Sequence, residues 1–236
     1  VSMSAIAIIL RKMKKKVLGS DIKIGGHKKA NIKKDIDLVV YSSAADKKSK
    51  AVIEHDEAHR LRIPVIKRSQ MIARLTQNRS VVAISGMHGK TTTSALVSGV
   101  MKLSQYDPGI MIGAPSGKKV KVASIGKDRF FVLEACEYDG SFLDFEPTIA
   151  LITNIEKEHL DYFKGGLKQI KKEFEDFVRK IKPGGVLVYC ADDENLEEIV
   201  GNCADFINEN SIRVISYGFS SKSNVLIKNY TVASGF

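Results

Sequence analysis

A glycine-rich turn between an apolar run and a helix-like segment constrains this chain more than any other feature. The apolar residues 81–84 precede the turn, and the helix-like segment extends over residues 94–103. Small glycines let backbone N–H groups surround phosphate oxygens, the helix N-terminus adds its positive dipole, and a lysine supplies a cation. The turn therefore predicts a nucleotide triphosphate site. Its expected contact residues are Gly86, Met87, His88, Gly89, Lys90, Thr91 and Thr92.

The spacing of this turn is shorter than that of the common Walker loop. The Walker pattern would place a further glycine at the position of Ile84. A chance match of small residues in a strand–helix turn is therefore the competing interpretation. The remaining motifs of the chain favour the phosphate site.

Charge and composition limit the classes of partner. With 44% hydrophobic and 27% charged residues, the chain has the composition of a globular protein, and disorder does not describe it. The net charge of +10 raises the possibility of a nucleic-acid binder. Outside residues 11–16, however, the cations are scattered and often stand beside acids, which is typical of a solvated lysine-rich surface. We therefore expect no nucleic-acid partner.

Cysteines and apolar runs indicate the compartment. The three cysteines are widely spaced, which fits neither a disulfide framework nor a Cys-x-x-Cys metal site. No apolar run approaches the roughly 20 residues of a membrane helix, and there is no secretory apolar region. These features predict a cytoplasmic protein that does not associate with a membrane.

Residues 1–78 are predicted to form a first, Rossmann-like domain that binds the substrate nucleotide. We expect the first strand of this domain, with its glycine turn, to lie upstream of Val1, so that the domain is truncated at its start. The polar stretch 76–80 predicts a linker and a boundary near residue 78. The expected elements are helices over 4–13, 48–62 and 69–75, and strands over 16–21, 37–43 and 64–66.

Residues 79–236 are predicted to form an α/β domain with a mostly parallel sheet that binds ATP. The near-continuous apolar strands indicate a sheet covered on both faces. Apolar residues from Leu167 to Ile181 recur on one helical face, which predicts a helix packed on that sheet. The pattern is expected to be truncated at its end. The expected strands are 81–84, 130–135, 149–153, 185–190, 214–219 and 224–231.

Two acidic clusters, residues 134–139 and 153–161, follow predicted strands, where open parallel sheets bind their ligands. A magnesium-dependent nucleotide enzyme needs carboxylate oxygens near the γ-phosphate, and Glu134 is the best candidate. Acids after a strand are also common as turn residues or helix caps, and His159 alone would usually be a hydrogen-bonded or surface histidine. The turn or cap interpretation is favoured for Glu137, Asp139, Glu156 and Glu158.

Three stretches, residues 85–93, 134–143 and 153–161, together resemble the Mur ligases of cell-wall synthesis. Residues 1–7, 19–21 and 42–44 are similar to the branch of the family that joins L-alanine to UDP-N-acetylmuramate. The resemblance implies ATP-driven amide synthesis. The lactyl carboxylate of UDP-N-acetylmuramate attacks the γ-phosphate to give an acyl phosphate, and the amine of L-alanine then displaces phosphate.

The resemblance also implies residue roles. Lys90 would spread charge across the β- and γ-phosphates, while Thr91 and Glu134 hold Mg²⁺. His159 would lie beside the acyl-forming carboxylate or a second Mg²⁺, and His88 would line the loop. In the first domain the candidates for the UDP moiety are Asp21 and Ser43, although a turn or cap role for Asp21 is about as expected.

The chain departs from the family pattern in three ways. Cys136 stands where family members commonly have Asp. The glycine turn that would hold the UDP pyrophosphate and the C-terminal ligase domain are both expected to be absent. Residues 1–236 are therefore predicted to be a partial ligase that binds ATP weakly and forms no amide alone.

Three other functions compete with this hypothesis. A murein tripeptide-recycling ligase also carries Glu-Tyr-Asp in its middle motif, as in residues 137–139, whereas Leu160 and residues 141–143 favour the alanine-adding branch. A P-loop hydrolase or kinase accounts for Lys90 and Thr91 but leaves the first domain without a purpose. A binding module without turnover is the third alternative.

Overall fold

Helices and strands alternate along the chain. The computed structural model describes residues 3–23, 25–42, 51–113 and 123–231. The helices are α1 (Met3–Lys12), α2 (Val52–Arg60), α3 (Arg68–Thr76), α4 (Lys90–Leu103), α5 (Gly166–Val178), α6 (Glu194–Asn202) and α7 (Ala204–Glu209). The strands are β1 (Val39–Tyr41), β2 (Val65–Lys67), β3 (Ser80–Ser85), β4 (Gly109–Met111), β5 (Ala123–Ser124), β6 (Phe130–Glu134), β7 (Ile149–Ile152), β8 (Val186–Cys190), β9 (Arg213–Gly218) and β10 (Val225–Leu226).

The larger sheet has eight strands in the order β10-β9-β8-β7-β3-β6-β4-β5. Every pair is parallel except β4 with β5. Because β3 lies between β6 and β7, the carboxyl ends of these three strands meet at one edge of the sheet. The prediction of a mostly parallel α/β sheet is confirmed. The glycine-rich turn over residues 86–89, called the phosphate-loop turn below, follows β3 in the interior of this sheet.

Apolar side chains cover both faces of this sheet. On one face α4 contacts Val82, Ile84 and Val132 through Val97 and Met101. On the other face a larger core cluster joins side chains of α1, α3, α5, α6 and α7. The predicted helical face of α5 is confirmed, since Ile170, Phe174, Phe177 and Val178 are fully buried.

The part of the chain before β3, called the first unit below, contains a two-stranded sheet of its own. Strands β1 and β2 are parallel, with Val39 opposite Val65, and α2 makes the crossover between them. The strand predicted over residues 16–21 is wrong, since those residues lie in no strand and Leu18 is 62% exposed. The apolar pair Val17 and Leu18, between Lys16 and Gly19, offers too little burial to hold a strand. Only an isolated bridge joins Asp21 to Gly25 in this segment.

The structure differs from the predicted secondary structure in two further respects. The strand expected over residues 224–231 is limited to β10, whose side chains are exposed. Strands β4 and β5 and helices α6 and α7 were not predicted. None of the helices in the described ranges combines the length and the apolar character that crossing a bilayer requires.

Candidate active site

Two left-handed glycines shape the turn between β3 and α4. Gly86 has φ of 126° and Gly89 has φ of 79°, a region that side chains other than glycine rarely adopt. A Cβ on Gly86 would lie 2.1 Å from Thr153 Oγ1 and 3.0 Å from the backbone of Asn154. The sequence therefore needs glycine here both for the backbone conformation and for contact with the loop after β7.

The loop after β7 holds the phosphate-loop turn through Asn154. The N–H of His88 donates to Asn154 Oδ1 at 2.8 Å, and Asn154 Nδ2 donates to the carbonyl oxygen of His88 at 3.1 Å. The N–H of Met87 donates to the carbonyl oxygen of Asn154 at 3.0 Å. The hydroxyl of Thr153 also contacts the His88 carbonyl oxygen at 2.7 Å. These bonds fix the backbone at the tip of the turn.

The ammonium of Lys90 points inward, back over its own turn. Its Nζ donates to the carbonyl oxygens of Gly86 at 2.5 Å and Met87 at 2.9 Å. It also lies 3.1 and 3.0 Å from the two carboxylate oxygens of Glu137. The side chains of Lys90 and Glu137 are only 13% and 1% exposed, so this ion pair is buried. The same carboxylate lies 3.6 Å from Nε2 of His159.

A hydroxyl and a carboxylate meet beside this lysine. Thr91, in the first turn of α4, donates its hydroxyl to Glu134 Oε2 at 3.0 Å, and the N–H of Gly113 donates to the same oxygen at 2.6 Å. Glu134 ends β6, and Gly113 follows β4. Hard oxygen donors from two adjacent elements are the ligands that Mg²⁺ takes beside bound phosphates. The pair of Thr91 and Glu134 therefore fits a magnesium ion.

His88 faces two acids of the loop after β7, and His159 belongs to that loop. His88 Nε2 lies 3.1 Å from Glu158 Oε1 and 3.7 Å from Glu156 Oε2, at a surface where the histidine is half exposed. His159 has φ of 50° and places its ring 5.6 Å from the ring of Tyr138. The turn after β3 and the loop after β7 thus contribute charged side chains to the same edge of the sheet.

Two family patterns match the sequence. The Mur ligase middle domain matches residues 84–235, and the description "Mur ligase family, catalytic domain" matches residues 1–80. This chain belongs to the Mur ligase family. The UDP-N-acetylmuramate–L-alanine ligase of Geobacter sulfurreducens is 38% identical over 100% of this chain and 52% of that relative. The enzyme of the same name from Carboxydothermus hydrogenoformans is 35% identical over 98% of this chain and 50% of its own length.

Solved structures share the fold of this Mur ligase chain. The UDP-N-acetylmuramate-alanine ligase of Thermotoga maritima has a TM-score of 0.71 at 24% identity and covers 94% of this chain and 50% of its own. The UDP-N-acetylmuramate:L-alanyl-γ-D-glutamyl-meso-diaminopimelate ligase of Neisseria meningitides has a TM-score of 0.75 at 23% identity and covers 92% of this chain and 74% of its own. The chain spans about half the length of the curated relatives named above.

Most of the predicted site residues of this Mur ligase chain lie at one edge of the sheet. The Thr91 hydroxyl donates to the Glu134 carboxylate. Lys90, the residue before Thr91, contacts the carboxylate of Glu137, and His159 contacts the same carboxylate. Gly86, Met87, His88 and Gly89 form the turn itself, and Thr92 follows on the exposed side of α4.

The predicted substrate residues lie in the first unit or outside the described ranges. Asp21 is exposed there, and its Oδ1 accepts the N–H of Lys23 at 2.8 Å. This is the geometry of a turn acid, the alternative that the sequence left open. Ser43 lies outside the described residues.

Sequence reasoning gave no role in the site to Asn154 and favoured a turn or cap for Glu137. Glu137 instead pairs with Lys90 in a fully buried position. A usable signal existed for Asn154, because an amide directly after the strand beside the phosphate-loop strand is placed to bond that turn. No sequence signal marked Gly113, whose contribution is its backbone N–H.

Cys136 lies in the segment between Glu134 and Glu137. Burial raises the pKa of its thiol above the ordinary value, and the charge of Glu137 raises it further. The thiol is therefore protonated at neutral pH. A neutral side chain thus stands between Glu134 and Glu137.

Proposed function

We propose that this chain provides the nucleotide and substrate sites of an ATP-dependent ligase that joins L-alanine to UDP-N-acetylmuramate. The observation that carries the proposal is the meeting of the Thr91 hydroxyl and the Glu134 carboxylate at 3.0 Å, beside the inward-pointing Lys90. Relatives of this enzyme name, 35–38% identical over 95–100% of the chain, support the choice of substrates.

The residues of the turn would act mainly by positioning and by neutralising charge. On nucleotide binding we expect Lys90 to exchange the carbonyl oxygens of Gly86 and Met87 for β- and γ-phosphate oxygens. Thr91 and Glu134 would hold Mg²⁺, which when bound neutralises charge on the same phosphates. His159, beside Glu137, would face the carboxylate that forms the acyl phosphate, and His88 would line the turn.

In the proposed reaction, an oxygen of the lactyl carboxylate forms a bond to the γ-phosphorus and ADP leaves. The amine of L-alanine then bonds to the acyl carbon, inorganic phosphate leaves, and the amine loses a proton as the amide forms. The buried side of this site would keep water from the acyl phosphate, since Glu137 and Met87 are 0% and 5% exposed.

We further propose a division of labour along the chain. Residues 1–78 would bind the UDP substrate, with Asp21 and Ser43 as the positions to test, and residues 79–236 would bind ATP. No strand pairing joins the two-stranded sheet to the eight-stranded sheet among the described residues, and this supports the division. Three free thiols, Cys136, Cys190 and Cys203, support a reducing cytoplasmic location.

Nucleotide binding is tested by titrating the protein with Mg-ATP in a calorimeter. Lys90→Met is combined with Glu137→Gln so that no buried carboxylate is left without its cation. We expect this double variant to lose at least about tenfold in affinity, the scale of a lost charge-assisted hydrogen bond. Lys102→Ala, at the exposed far end of α4, is the matched control and should bind as the wild type does. Equal affinity in the double variant would contradict the proposal.

The substrate is tested by phosphate release from ATP in the presence of UDP-N-acetylmuramate, with either L-alanine or the L-alanyl-γ-D-glutamyl-meso-diaminopimelate tripeptide. A fusion of this chain to the second half of the Geobacter sulfurreducens relative provides the length that the relatives have. Release that depends on L-alanine is expected. Release that depends on the tripeptide would identify a recycling ligase, and release that needs neither amine would identify a P-loop hydrolase.

A further inference from the structure

Two side chains at the start of α6 hold the backbone of Ile155. Asp193 Oδ2 accepts the N–H of Ile155 at 2.7 Å, and Asn195 Nδ2 donates to the carbonyl oxygen of Ile155 at 3.1 Å. The Ile155 side chain is 1% exposed and belongs to the larger core cluster. Both polar groups of this residue are therefore bonded by side chains from one helix N-terminus, in a loop that belongs to no strand or helix.

The residue before Ile155 holds the phosphate-loop turn in the same manner. Asn154 bonds both the N–H and the carbonyl oxygen of His88 through its amide. Its own carbonyl oxygen accepts the N–H of Met87. A continuous chain of short contacts thus runs from α6 through residues 154 and 155 to the tip of the turn between β3 and α4. The start of α6 also lies at the end of β8, on the same sheet edge.

The two side chains at the start of α6 differ in how much else they do. Asp193 also caps the helix, because its Oδ1 accepts the N–H groups of Asn195 and Leu196 at 2.9 and 3.2 Å. The Asn195 side chain donates to the carbonyl oxygen of Ile155 and takes no part in that cap. Replacing Asn195 can therefore release Ile155 while the helix cap stays intact.

We propose that Asn195 is a positioning residue for nucleotide binding, acting on the phosphate-loop turn through Ile155 and Asn154. The inference rests on the proposed function, because it requires that the turn bind a nucleotide. Its physical basis is that backbone N–H groups bind phosphate well only when they are held in the binding geometry before the ligand arrives. Release of Ile155 lets the loop after β7 move, and the backbone of His88 loses its fixed partner.

The test compares Asn195→Asp, Asn195→Ala and Asn202→Asp in the 236-residue protein. Asn195→Asp keeps the shape but cannot donate to the Ile155 carbonyl oxygen, and a carboxylate in the first turn of a helix is favourable for the helix. Asn195→Ala removes the same donor without adding charge, so it controls for repulsion between a new carboxylate and the nucleotide. Asn202→Asp adds a carboxylate at the other end of α6, where it is unfavourable, and replaces an amide that bonds Glu175 at 2.8 Å.

We expect the Kd for Mg-ATP to rise about three- to tenfold in both Asn195 variants, the change that loss of one hydrogen bond produces. The melting temperature of Asn195→Asp should not fall below that of the wild type, and amide hydrogen exchange in residues 86–89 should become faster. Asn202→Asp should lower the melting temperature and leave the Kd unchanged.

The outcomes separate this inference from the proposed function. If the wild type binds Mg-ATP and both Asn195 variants bind it equally well, the positioning role is wrong while the nucleotide site stands. If the Kd rises only in Asn195→Asp, the cause is the added charge, and the positioning role is again wrong. If the wild type binds no Mg-ATP, the proposed function fails, and the inference that rests on it fails as well.

Discussion

Two glutamates three residues apart illustrate what single residues of this chain contribute. Glu134 is predicted as a magnesium ligand from its position after a strand, and that role stays a prediction. Its carboxylate accepts the Thr91 hydroxyl and the N–H of Gly113. Glu137 was given a turn or cap role, yet it pairs with Lys90 in a fully buried position. The difference was not predictable, because burial of Glu137 depends on α4 and on the loop after β7, which approach it only in the folded chain.

The thiol of Cys136 is expected to react slowly with an alkylating reagent. Because burial and then the charge of Glu137 raise the pKa of its thiol, little thiolate exists at pH 8. At pH 8 we expect iodoacetamide to modify Cys136 at least about tenfold more slowly than it modifies free cysteine. The rate of modification of Cys136 should increase as the pH is raised. Peptide mass spectrometry of the alkylated protein measures this rate.

Two glutamate substitutions test the cause of the raised pKa of Cys136. Glu137→Gln removes the second cause of the raised pKa and should speed the modification. Glu156→Gln changes an exposed acid whose side chain is 62% accessible and should leave the rate as it was. A fast reaction in the wild type at pH 8 would show that the thiol is not shielded as described.

At the scale of elements, sequence patterns identified strands and helices that carry continuous apolar runs. Strands β3, β6, β7, β8 and β9 were predicted from apolar runs, and helix α5 was predicted from apolar residues that recur on one helical face. The strand expected over residues 16–21 failed, since Val17 and Leu18 find no neighbouring strand that would bury them. Strands β4 and β5 are two or three residues long, too short for any periodicity to register.

The turn between β3 and α4 requires glycine at position 86. Gly86→Ala places a methyl group 2.1 Å from Thr153 Oγ1 at a φ of 126°, so both strain and steric overlap destabilise the variant. We expect a loss of roughly 2–3 kcal/mol in the free energy of unfolding, measured by urea denaturation.

Gly99→Ala is the matched control for that substitution. Gly99 lies inside α4 and is exposed, and an added Cβ would meet no atom within 4 Å. Alanine at an open helical position should raise the free energy of unfolding by roughly 0.5–1 kcal/mol. Changes of the same sign in the two variants would contradict the account of the turn.

At the scale of the whole molecule, the first unit shares a core with the larger sheet. The large core cluster includes Ala5, Ile6 and Ile9 of α1 together with side chains of β6 and α5. The sequence predicted a boundary near residue 78 but gave no indication of this shared burial. Contacts between elements far apart along the chain depend on how the units dock, and apolar periodicity alone carries no information about that docking.

The carboxyl group of Glu54 makes the stability of the first unit depend on pH. Glu54 of α2 is 8% exposed and binds the segment 20–31 through Ser20, His27, Asn31 and the N–H of Lys28. Burial raises the pKa of this carboxyl, but the four hydrogen bonds together lower it below its ordinary value of 4.5. The carboxylate therefore stabilises the folded state above that value, and this stability is lost as the pH falls through the lower folded pKa.

Glu54→Gln tests that link. At pH 7 we expect a loss of about 1–2 kcal/mol in the free energy of unfolding, and the difference from the wild type should shrink as the pH falls from 5 to 3. Asp56→Asn, on the same helix with a side chain 70% exposed, is the control and should differ little from the wild type at any of these pH values. A difference for Glu54→Gln that grows toward low pH would contradict the sign of the pKa shift.

The buried pairing of Lys90 with Glu137 bears on which form of a triphosphate can enter. The ammonium is already matched by one carboxylate, and Glu134 brings a second within reach of Thr91. A bare polyanion approaching this cleft meets a local excess of like charge. If the proposed function holds, these charges would disfavour metal-free nucleotide and favour its magnesium chelate before any catalytic step begins.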